Sequence, residues 1–147
     1  MNVEAVLNRL SEVKSEIVSI VERCRNDAVR IVEDSNLPES VKKRLIDEIN
    51  SYWFGTDSVV DGLEEILPVI VEVIEKKGRY RMSFEAYVED DELFEKLLDT
   101  LDNAQREELR KVASRLDDLA LKMYSNIFKL LGFEVKEGEW ILILQIG

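Results

Sequence analysis

The sequence predicts an α+β protein: a bundle of long helices, with a small antiparallel sheet made by a strand near residues 80–88 and a C-terminal hairpin at residues 133–146. Three observations carry that expectation. Apolar residues recur every three or four positions through the first 34 residues and again from residue 103 to residue 131, the spacing of an amphipathic helix. Tyr80, Met82, Phe84, Ala86 and Val88 alternate with Arg81, Ser83, Glu85 and Tyr87, as in a half-buried strand. The chain then closes on two short strand-like runs joined through Glu137-Gly138.

The elements follow in order. Val3, Val6, Leu10, Val13, Ile17, Ile20 and Cys24 form one seam, widened by Leu7, Val21 and Ala28 and continued by Ile31 and Val32. The expectation is one helix of about 30 residues, ~45 Å long. Its stripe needs several partner helices or another chain to cover it. Pro38 breaks that helix and suits the first turn of the next. Val41, Leu45, Ile49 and Trp53 carry the second helix to about Phe54, with Gly55 as its expected C-terminal cap. Thr56 or Asp57 is placed to cap a third helix through Val59, Val60, Leu63, Ile66 and Leu67. The β-branched run after Pro68 fits either a kinked continuation of that helix or a strand. Lys76-Lys77-Gly78, a suitable helix C-terminus, favours the helix. A short helix follows from Asp90, with Leu93, Phe94, Leu97, Leu98 and Leu101 inward. Asp102 with Gln105 reads as a capping box for a long helix that Gly132 ends. No repeat or linker interrupts the chain, so a single domain spans residues 1–147.

Composition excludes several chemistries. The 147 residues include 31 Asp and Glu against 20 Lys and Arg, for a net charge of −11, with no histidine and one cysteine. A Ser-His-Asp or Cys-His catalytic unit is therefore impossible, as are a His-ligated metal and an internal disulfide. No glycine-rich phosphate loop occurs, and no cofactor is expected. Lone Cys24 reads as a small core residue. No signal-like or membrane-length apolar segment is present, and a cytoplasmic setting is expected. Abundant Glu, Lys, Val and Ile with scarce Gln lean towards a thermophilic source.

With little catalytic vocabulary, the sequence favours a non-enzymatic interaction or assembly protein, self-associating through its first helix. A homo-oligomer, a dimer foremost, or a subunit of a larger assembly is expected. Its candidate contact residues are Val6, Leu10, Val13, Ile17 and Ile20, the aromatics Trp53 and Phe54, and Ile141 and Ile143 of a last strand that is apolar on both faces. In Tyr52-Trp53-Phe54 two rings are expected to cap the core and the third to reach the surface. Two weaker alternatives stand beside this. Lys111, Arg115, Lys122 and Lys129 share one side of the long helix and suit a nucleoprotein subunit, although Asp118 interrupts them. Asp91, Glu95 and Asp99, at i, i+4 spacing, suit a Mg²⁺-dependent hydrolase of a nucleotide or phosphate ester. Nine of the eleven excess negative charges lie between Gly55 and Asp102.

Overall fold

A computed structural model describes residues 1–146. Among these residues, six α-helices and a three-stranded antiparallel sheet make up the α+β architecture. The first predicted helix is two: α1 (Val3–Glu12) and α2 (Lys14–Glu33), separated at Val13, whose φ of −104° and ψ of 12° depart from helix. Backbone bonds from Val13 to Arg9 and from Ile17 to Val13 bridge the break, so the rod bends without parting. The bend lets α1 lie on α4 (Thr56–Lys77) while α2 runs along α6 (Asn103–Leu130). Val6, Leu10, Val13, Ile17, Val21, Ala28 and Val32 are all buried by those neighbours. The long stripe is thus covered within one chain.

The second helix, α3 (Glu39–Glu48), passes into a π-helical segment, Ile49–Trp53, closed by a 3.0 Å bond from the Phe54 N–H to the Ile49 carbonyl. The wider turn shifts the helical phase, and both Trp53 and Phe54 enter the core while Tyr52 remains 58% exposed. Gly55 starts α4 instead of ending α3. A Cβ at Gly55 would sit 2.7 Å from the Ser51 carbonyl oxygen, so the turn admits no side chain there. Thr56 does not cap α4; its hydroxyl accepts from Arg25, which also donates to the Phe54 carbonyl.

Helix α4 continues through Pro68. Leu63, Leu67, Ile70, Val71 and Ile74 remain buried on both sides of it, and that packing outweighs the lost backbone bond. Gly78, at φ 83°, ends the helix in the left-handed region. The next strand is shorter than its alternation predicts. β1 covers Tyr80–Ser83, and residues 84–91 form turns, with Ala86 at φ 57°. Phe84 and Val88 are buried, as alternation requires, but their spacing of four suits a turn equally well. The decisive contact is distant in sequence: the Asp117 carboxylate accepts the Val88 N–H at 2.9 Å and diverts the chain from the sheet.

α5 (Glu92–Leu98) is capped by Asp91, and α6 opens with the expected Asp102–Gln105 capping box. β2 (Phe133–Gly138) and β3 (Ile141–Ile146) pair as a hairpin, and the sheet order is β1-β3-β2. The hairpin turn lies at Glu139-Trp140 instead of Glu137-Gly138, because Gly138 pairs with Ile141 inside the ladder. Trp140 takes φ 55° and donates its indole N–H to Asp118 on α6, which ties the turn to the helix. Leu142 and Leu144 of the central strand are buried on the helix side. Ile141 and Ile143 are half-buried on the other face, between Arg81 and Ser83 of β1 and Lys136 and Gly138 of β2. The buried side chains of helices and sheet form one continuous cluster. Among the described residues no helix is long and apolar enough to cross a membrane.

Candidate functional site

Segments distant in sequence line three adjoining clefts that together form a groove: chiefly the end of α3 with its π-segment, α4, the turns at residues 84–91, and α6. At its mouth is a cleft of about 430 Å³ lined by Glu48, Tyr52, Trp53, Tyr87, Asp90, Asp91 and Glu92. Tyr52 and Tyr87 continue into a middle stretch with Ser58, Asp61, Gly62, Glu65 and Tyr124. Gly62, Tyr87 and Tyr124 then lead to an apolar end of about 210 Å³, lined also by Leu63, Ile66, Met82, Ser83, Phe84 and Phe128. Neighbouring stretches share wall residues, Tyr52 and Tyr87 between the first two and Gly62, Tyr87 and Tyr124 between the last two, so the three lie side by side. Phe84 and Tyr124 form a tilted pair at the apolar end, with ring centroids 5.5 Å apart, and Tyr124 stacks on Phe128 at 6.1 Å.

The sequence positions each part for a local reason. Tyr52 points outward because the π-turn commits the two residues after it, Trp53 and Phe54, to the core. Tyr87 is aimed by the Ala86 turn, and its hydroxyl donates to the Trp53 carbonyl at 3.3 Å. Tyr124 is held on α6 by its neighbours Phe84 and Phe128, half-buried against the core. Burial first, and the adjacent Tyr124 hydroxyl second, hold Tyr87 far above the ordinary phenol range; burial likewise raises Tyr124. Both stay neutral at any physiological pH, so they offer aromatic faces and hydrogen bonds but no phenolate nucleophile. Glu48 is raised by partial burial and then by the Asp91 carboxyl beside it. Beneath the turns, Asp117 is raised to about 6 by burial; the Val88 N–H opposes that shift, and Glu89, Asp118 and Asp90 add to it. The Trp53 indole N–H is buried without a hydrogen-bond partner among the described residues.

Of the side chains singled out from sequence, Trp53 and Asp91 line this groove. Val6, Leu10, Val13, Ile17 and Phe54 are enclosed in the core, and Ile20, Ile141 and Ile143 are half-buried. Lys111, Arg115, Lys122 and Lys129 stand exposed along α6, with Lys111 3.8 Å from Glu107 and Lys129 3.7 Å from Glu137. Asp91 directs its carboxylate to the Leu93 N–H as a helix cap, whereas Glu95 and Asp99 are exposed. Among the described residues no three His, Cys, Asp or Glu side chains are grouped to hold a metal ion. Sequence reasoning missed Glu48, Gly62, Tyr87, Asp117 and Tyr124. The signals present were the Tyr52-Trp53-Phe54 triplet and the acidic excess of residues 55–102, which supplies five of the six groove carboxylates.

Fold and site together define an α+β protein with an aromatic, acid-walled groove among its described residues. No protein-family model, curated protein or solved structure matches the chain.

Proposed function

We propose that the protein is a non-enzymatic binding module whose groove takes a basic, partly apolar segment of a partner protein. One observation carries this reading. Among the described residues, those lining the groove's three stretches include six carboxylates (Glu48, Asp61, Glu65, Asp90, Asp91 and Glu92) and no Lys or Arg. Six like charges around an aromatic floor attract a cation through both the field and the ring faces. The apolar end, at about 210 Å³, is small for a drug-sized ligand and suits one or two anchoring side chains. Ser58 and Asp61 line the same stretch, but among the described residues no hydrogen bond joins a groove hydroxyl nucleophile to a carboxylate base, which supports binding over catalysis. The apolar seam of residues 3–32 holds the fold in this reading and is not the docking stripe.

The test is a titration with a synthetic Lys/Leu amphipathic peptide of about 18 residues, five helical turns, against a Glu/Leu control of the same pattern. Expected are binding of the basic peptide, affinity that falls steeply as salt rises, and no binding of the acidic one. Tyr52→Ala is expected to weaken binding about tenfold, a hot-spot-sized loss, while the folded state changes little because the ring is exposed. Equal binding of both peptides, or affinity unmoved by Tyr52→Ala, overturns the reading. A concentration-dependent dimer in light scattering that is lost on Ile143→Lys would instead place the contact on the open sheet face.

A further inference from the structure

Gly62 has no explanation inside the chain. It lies in the interior of α4, where glycine is the poorest helix former after proline. Its backbone is helical and requires no positive φ. A Cβ built on it would meet no atom within 4 Å, so no neighbouring element demands its absence. The contrast with Gly55, where a Cβ would strike the Ser51 carbonyl, shows what an internally required glycine looks like in this fold. Yet Gly62 lies where the middle of the groove meets its apolar end, with Tyr87 and Tyr124 opposite.

We propose that Gly62 is a partner-contact position, where the backbone of a docked cationic amphipathic helix crosses α4 closer than any side chain would allow. This rests on the binding-module reading and adds the conformation of the occupant and its point of closest approach. A helix is favoured over an extended segment on hydrogen-bonding grounds. The backbone N–H and carbonyl of Gly62, in the helix interior, are engaged in the α4 ladder, so a strand laid across it gains no backbone bonds there. A helix gains from the short interaxial distance that small residues permit. Its apolar face then meets the half-buried Ile66, Met82 and Tyr124, and its cationic flank runs beside Asp61 and Glu65.

The experiment pairs stability with affinity for the same Lys/Leu peptide. Gly62→Ala is expected to raise Tm by about 2–4 °C, because the helix gains a better former and nothing clashes. Gly62→Leu is expected to remain folded, without loss of Tm, and to weaken the peptide at least tenfold. Circular dichroism of the peptide is expected to show helix on binding. If the wild type binds the peptide in a Tyr52-dependent way but Gly62→Leu binds equally well, the Gly62 inference falls and the groove reading stands. A fall in Tm with Gly62→Ala likewise overturns it, since an internal need for glycine is then demonstrated. A wild type that does not bind the peptide overturns both.

Discussion

Trp53→Ala is expected to remove about 3–5 kcal/mol of folding stability, the cost of emptying a large buried aromatic site. The ring is 1% exposed and belongs to the π-segment, which packs between α2 and α4. Deleting it leaves a void where three elements meet, and the phase set by the π-turn gives the backbone no simple way to collapse into it. For a domain whose net stability is about 5–15 kcal/mol, that is a large share. Trp53→Phe is expected to behave differently, costing no more than about 1 kcal/mol. It loses part of the ring but also removes an indole N–H that is buried without an acceptor, a group whose desolvation costs about 1–3 kcal/mol. Urea unfolding followed by far-ultraviolet circular dichroism measures both variants, and Trp140 remains as a fluorescent reporter. A Phe variant as unstable as the Ala variant would mean that the N–H contributes a hydrogen bond.

The helices were legible because their periodicity reports on packing that is largely local. Val6 to Val32 announced a buried stripe, and Asp102 with Gln105 announced the start of α6. The ambiguity at Pro68 resolved towards helix because buried residues on both sides compensate for one missing backbone bond. Where the reading failed, a long-range contact had overridden a local pattern. Residues 84–88 alternate as a strand should, but Asp117, 29 positions away, captures the Val88 N–H. The hairpin turn moved to Trp140 because Asp118 holds its indole. The bend at Val13 and the π-turn at Ile49–Trp53 have no composition of their own; both serve the fit of a helix to two partners. The groove was legible only as fragments for the same reason. Its carboxylates were visible as a charge imbalance and one of its rings as part of an aromatic triplet. Tyr87 and Tyr124, however, come together only through the turn that Asp117 diverts.

Asp117→Asn is expected to stabilise the protein by about 2 kcal/mol at pH 7.5 and by much less at pH 4.5, an effect that follows from the sign of one carboxyl's shift. The side chain is 4% exposed and faces Glu89, Asp90 and Tyr87 from the turns as well as Asp118 on its own helix, with no cation among them. Burial raises it from 3.8 to about 6 in the folded protein, so folding favours the neutral acid. Its contribution to stability is therefore complete below pH 3.8 and is lost as the pH rises through about 6, where the buried group must ionise. Asparagine keeps a carbonyl oxygen for the Val88 N–H and carries no charge at any pH. The difference in unfolding free energy between variant and wild type should accordingly climb between about pH 4 and pH 6 and then level off, while the exposed carboxylates cancel in the comparison. A difference that is flat with pH would show that Asp117 titrates as an ordinary surface acid. A variant destabilised at every pH would show instead that both carboxylate oxygens are needed to hold the turn. Either result bears on the groove, because the turn that Asp117 tethers carries Tyr87, Asp90 and Asp91 into it.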